Sequence, residues 1–149
     1  MGQITRSCLR IFTDAATKEE IDSSLGLRAH TWHPRDSRIG RINEQLTGHP
    51  WAVWRWDSNL TETLSPHEHV AHLCTFLQAK AEKFQGMVDR GWQPEILLTC
   101  SSDSGQGGLT LSVDLLGALA GLSVGFAVNV LLSDASQETG ADPTAVIQA

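Results

Sequence analysis

Six histidines are the first side chains to weigh for chemistry, because imidazole titrates near neutral pH and ligates metals. His67, His69 and His72 crowd together with Glu68. A zinc-protease helix needs His-Glu-x-x-His, so that two imidazoles share one face with a carboxylate base; here position 71 is Ala71 and the pattern fails. His69 and His72 flank an apolar stripe and are expected to face solvent. A second group, His30, His33, Asp36 and His49, matches no zinc spacing, so no metal and no cofactor is expected.

Arginines make a stronger signal. Arg28, Arg35, Arg38 and Arg41 stand around Trp32, in a chain with only 11 basic residues. Planar guanidinium forks beside an aromatic ring suit a carboxylate, a phosphate or an acidic patch on another protein. Local pairing with Asp36 and Glu44 is the plainer use. The nucleophiles lack a recognisable setting. No serine has the Gly-x-Ser-x-Gly context of a hydrolase elbow. Ser101 to Gly108 has the composition of a phosphate loop without its lysine. Cys8, Cys74 and Cys100 form no Cys-x-x-Cys pair and read as buried, reduced thiols.

Elements that would position these residues are readable from spacing. Ile4 to Thr13 alternates and predicts a strand, near the N-terminal edge of the sheet. Thr17 and Glu20 form a capping box for a short helix carrying Ile21 and Leu25 and stopped by Gly26. Residues 27–50 show no periodicity and read as a long loop, the kind that is often functional. Trp51, Val53 and Arg55 then alternate with Ala52, Trp54 and Trp56, a strand with bulk on both faces and so an interior one. Ser65, Pro66 and Glu68 start a long helix whose stripe runs Val70, Leu73, Cys74, Leu77, Ala81, Phe84 and Val88, ending at Gly91. A buried strand, 95–100, follows. Leu109 to Ser112 is a short strand or a lead into a helix that Gly121 stops, and 124–132 is a last apolar strand. These elements predict one α+β domain over 1–133. Its sheet is mixed but mostly antiparallel, with four to five strands and two to three helices on one face, ferredoxin-like. Residues 134–149 read as a flexible polar tail.

Charge and length bound the function. The chain has 149 residues, enough for one core without metal or disulfide. A net charge of −6 argues against a general nucleic-acid or anionic-membrane binder. The N-terminus carries no signal-peptide pattern, and the most apolar region, 109–132, is interrupted by Ser112, Asp114, Ser123 and Asn129. A cytoplasmic location is expected.

Ile11-Phe12-Thr13, then Glu19-Glu20-Ile21, then Leu25-Gly26-Leu27, is similar to the opening of a bacterial family known as domain of unknown function 4279. In that family a strand and a short acidic helix ending in Leu-Gly are followed by a polar loop, a tryptophan strand and a long helix. Trp51 and Trp54 resemble that strand, and residues 65–88 that helix. The family usually carries a proline soon after Leu-Gly, where this chain has Arg28-Ala29-His30. The resemblance implies a bacterial origin and the fold over residues 4–132. It implies no activity.

With no catalytic constellation, the expected function is non-enzymatic: a bacterial protein-binding module, such as an immunity protein that neutralises a toxin. Arginine and tryptophan are enriched at interface hot spots. The alternative is a small-molecule site for an anionic ligand, or an enzyme, between loop 28–50 and the tryptophan strand. Either reading uses Arg28, Trp32, His33, Arg35, Arg38, Arg41, His49, Trp51 and Trp54. A homodimer paired through sheet edges is a third possibility.

Overall fold

Leu9 and Ile11 face one way and Cys8 and Arg10 the other, the alternation of an extended strand. The computed structural model describes residues 3–35, 51–102, 109–132 and 146–148. In it β1 (Gln3–Thr13) pairs antiparallel with β3 (Ala52–Asp57) on one side and with β4 (Gln93–Ser102) on the other. This corrects the edge position expected for β1. Its Thr5, Ser7, Leu9, Ile11 and Thr13 face is buried, while on the other face only Cys8 is buried and Ile4 and Arg6 are exposed. Between β1 and β3 come α1 (Lys18–Leu25) and β2 (Thr31–His33). The strand β2 falls inside the stretch read as loop, and pairs antiparallel with β3. Three residues are too few to display a period.

The order β2-β3-β1-β4 is the ferredoxin-like arrangement, extended on the β4 side by β5 (Gly125–Leu132) and β6 (Val146–Gln148). The expected mixed, mostly antiparallel α+β fold is therefore present, with one short strand more than foreseen. Among the described residues the one parallel pair is β4–β5, whose connection runs through α4 (Val113–Leu122). The strand β6 lies within the expected tail and pairs with β5.

The long helix is divided. After α2 (Pro66–Leu77) a 3-10 turn, Gln78–Lys80, leads into α3 (Ala81–Asp89). Both predicted capping boxes close, Thr17 with Glu20 and Ser65 with Glu68. Gly26 ends α1 at φ 67, a left-handed conformation that glycine adopts without steric cost. At the end of α4 the left-handed position falls on Ser123, not on Gly121. Leu109 to Ser112 is an extended lead, with Ser112 capping α4.

One face of the sheet carries the core. Leu9, Ile11, Trp54, Ile96 and Leu98 pack against Ile21 and Leu25 of α1, Val70, Leu73 and Leu77 of α2, Phe84 and Met87 of α3, and Leu119 of α4. On the other face Cys8, Val53 and Leu97 are buried outside that cluster. Arg10 bonds Glu95 across the β1–β4 ladder, and Arg55 bonds Asp57 along β3. Burial pushes the Cys8 thiol up to about 11 against the pull of Arg55 and Arg10. It is a packing residue and a poor nucleophile.

Candidate functional site

Every described residue of the sequence-derived site lies on β2, on β3 or beside them. Arg28 and Arg35 are exposed, and Trp32, His33 and Trp51 are half-buried. Trp32 stands across from Trp54 and His33 across from Val53. His30 extends this ladder: its N–H donates to the Arg55 carbonyl (2.8 Å) and its Nδ1 accepts from the Asp57 N–H (2.9 Å). Trp54 is wholly enclosed, so its contribution is to the core. Arg38, Arg41 and His49 lie outside the described residues, as does Asp36. A cleft of about 500 Å³ brings Trp32, Pro34 and Arg35 together with Lys18, Asp14 and Ala52.

Asp22 anchors this region. Its carboxylate accepts from the Trp54 indole N–H (2.8 Å), the Ala29 N–H (3.0 Å) and the Lys18 ammonium (2.6 Å), and its carbonyl accepts from Gly26. Burial works against its ionisation. The hydrogen bonds from Lys18, Trp54 and Ala29 outweigh it and hold the carboxyl below its ordinary 3.8. One residue of α1 thus ties the core tryptophan to the segment that leads into β2.

A second polar cluster, absent from the sequence-derived site, sits at the other end of β3. His69, expected to face solvent, is completely buried. Its position on α2 turns it toward β1 rather than outward. Its Nε2 lies 3.1 Å from the Thr61 carbonyl, and its Nδ1 lies 2.8 Å from Ser7 Oγ. Ser7 Oγ is in turn 2.7 Å from Ser58 Oγ, which accepts from the Leu60 N–H at 3.2 Å. Burial is the main reason the His69 pKa falls below 6.5; His72 pushes it the same way, while the Thr61 bond and Glu68 oppose. His67 and His72 are exposed, as expected. Among the described residues no three His, Cys, Asp or Glu side chains converge as a metal site would need.

A family model described as a domain of unknown function, DUF4279, matches residues 3–133. The chain belongs to this family. No curated protein and no solved structure matches it. The matched span of DUF4279 takes in both polar clusters and the whole of the sheet up to β5. It carries no activity over to these residues, so function must be argued from their geometry. No described helix of this DUF4279 chain is long and apolar enough to cross a membrane.

Residue spacing could not have revealed the second cluster, since Ser7 and His69 are 62 positions apart. The one local signal was the position of His69 next to Val70 and four residues before Leu73, close to the buried stripe of α2.

Proposed function

We propose that this is a cytoplasmic bacterial protein-binding module of the immunity type, docking its partner through the β2 side of the sheet. The observation that carries this reading is β2 itself. It is a three-residue strand at one end of the strand order, with exposed Arg28 three residues before it, exposed Arg35 two residues after it, and half-buried Trp32 and His33 within it. An edge strand offers backbone donors and acceptors to an incoming chain. Arginine and tryptophan beside it are the residue types that anchor interfaces. Exposed Arg28 and Arg35 suit an acidic patch on that partner. Affinity capture from the source organism, using wild type and an Arg28→Glu/Arg35→Glu variant, tests it. One stoichiometric protein held by wild type and lost by the variant supports the reading; its absence, or equal retention, counts against it.

The cleft of about 500 Å³ favours a second reading, because Trp32 and Arg35 share it with Lys18. That volume suits a small ligand, and its mixed lining of Arg35 and Lys18 with Asp14 and Glu19 suits one that carries a carboxylate or phosphate beside donor groups. A thermal-shift screen with anionic metabolites separates this reading from the first. A rise of several degrees that Arg35→Ala removes would establish a ligand site.

A further inference from the structure

The direction of every hydrogen bond in the Ser58–Ser7–His69 chain follows from its two ends. A carbonyl only accepts, so His69 Nε2 carries a hydrogen and donates it to Thr61. Neutral His69 then has a lone pair on Nδ1, and Ser7 donates its single hydroxyl hydrogen there. Ser7 Oγ is left as an acceptor, and Ser58 donates to it. The result is a relay in which the proton of Ser58 can reach a base through Ser7. Thr61 plays the orienting part that a carboxylate plays in a hydrolytic triad.

Ser58 also stands where two cavities meet. One, about 360 Å³, is polar and lined by Asn59 and by two ion pairs, Arg6 with Glu62 and Arg55 with Asp57, with Ser7 on its wall. The other, about 280 Å³, is walled by Trp56, Leu73, Phe76 and His72. Trp56 and Phe76 stack there with centroids 5.4 Å apart. Ser58 and Leu60 belong to both cavities. Ser58 follows the last residue of β3, and Asn59 after it turns the chain at φ 59, a conformation Asn tolerates. A serine at the end of a strand is thus presented at the boundary between an aromatic pocket and a polar one whose arginines are each paired with a carboxylate.

We propose that Ser58 is the nucleophile of a hydrolytic site whose substrates are esters joining a planar, apolar acyl group to a polar alcohol. The acyl group lies in the Trp56–Phe76 pocket and the alcohol in the Arg6–Arg55 cavity. Ser58 Oγ bonds to the acyl carbon as its proton passes to Ser7 and that of Ser7 to His69 Nδ1. The carbon–oxygen bond to the alcohol breaks, and the alcohol leaves with the proton returned along the same chain. Water then attacks the acylated serine through the relay, releasing the acid and restoring Ser58. Ser7 and His69 act through Ser58 and are positioning residues.

The test uses the intact protein with an aryl fluorophosphonate and with para-nitrophenyl phenylacetate. The fluorophosphonate is expected to add once, with loss of fluoride, on Ser58 as mapped by peptide mass spectrometry. Hydrolysis of the ester is expected to fall at least tenfold in Ser58→Ala. Ser7→Ala is expected to slow the labelling of Ser58 at least tenfold and to abolish the decline in labelling rate that wild type shows on acidification. The groups that bear on His69 in that profile are Ser7 of β1, the Thr61 carbonyl, and Glu68 and His72 of its own helix. No adduct, an adduct on another residue, or a Ser58→Ala protein as active as wild type would overturn the proposal. Should Ser58→Ala fail to fold, the position of the adduct on wild type decides the matter alone.

Discussion

The two ends of β3 are each pinned by one polar side chain, half-buried Asp22 and fully buried His69, and the two pins work in opposite ways. At the start of the strand Asp22 is charged and collects three donors, fixing Trp54, Ala29 and Lys18. At its end His69 is neutral and donates once and accepts once, linking Thr61 to Ser7. The first arrangement is closed: its hydrogen bonds run inward, and what it presents outward are Arg28, Trp32 and Arg35. The second is open: its hydroxyls run from a buried base to a cavity wall at Ser58. A charged pin suits a fixed surface, whereas a neutral pin with a hydroxyl chain suits the movement of a proton. Both hold a non-repetitive segment, residues 26–30 in one case and 58–61 in the other.

Removing the core at the charged pin should have the largest effect. Trp54→Ala is expected to cost about 3–5 kcal/mol, from lost burial and the cavity left behind. Urea unfolding measures it, and a cost under about 1 kcal/mol would deny that Trp54 is core. Asp22→Ala leaves the Trp54 indole and the Ala29 N–H without their acceptor and is expected to cost about 2–3 kcal/mol. Ser7→Ala at the neutral pin removes one neutral donor and is expected to cost about 1 kcal/mol. If Ser7→Ala proved as costly as Asp22→Ala, the contrast between the pins would fail.

Acid should separate the pins by pH as well. The folded pKa of His69 lies below its ordinary 6.5. Its contribution to stability is therefore complete above pH 6.5 and is lost as pH falls through the lower folded value. Asp22 is depressed below 3.8, so its contribution is complete above that pH and is lost only in stronger acid. Chemical denaturation repeated from pH 8 to pH 3 is expected to show a first decline beginning near 6.5 and a second below 4. His69→Asn should remove the first and leave the second. The smallest effect is expected from Arg28→Glu and Arg35→Glu, whose exposed side chains should change stability by less than about 0.5 kcal/mol.

The two ends also differ in how far they could be read from the sequence. The charged end announces itself locally. Thr17 and Glu20 cap α1, Gly26 ends it, and the alternation 51–56 puts Trp54 and Trp56 on the core face. Even there β2 escaped notice, because it owes its pairing to β3 and not to a pattern of its own. The neutral end is built from non-local pairing. Ser7 meets His69 only because β1 lies in the middle of the sheet with α2 across it, and the strand order decides that. The sequence places His69 on the right helix but on the wrong side: at the margin of the apolar stripe it reads as solvent-facing, and it is buried. The 3-10 turn at Gln78–Lys80 was equally hidden, having neither Gly nor Pro to mark it.

The two ends of β3 are proposed to do separate work, partner binding at one and proton relay at the other. The most direct measurement is a calorimetric titration of the captured partner into wild type, Arg28→Glu/Arg35→Glu and Ser58→Ala. Wild type and Ser58→Ala are expected to bind with equal affinity, and the double arginine variant at least tenfold more weakly. Equal binding by all three proteins, or loss of binding in Ser58→Ala, would contradict this division of work.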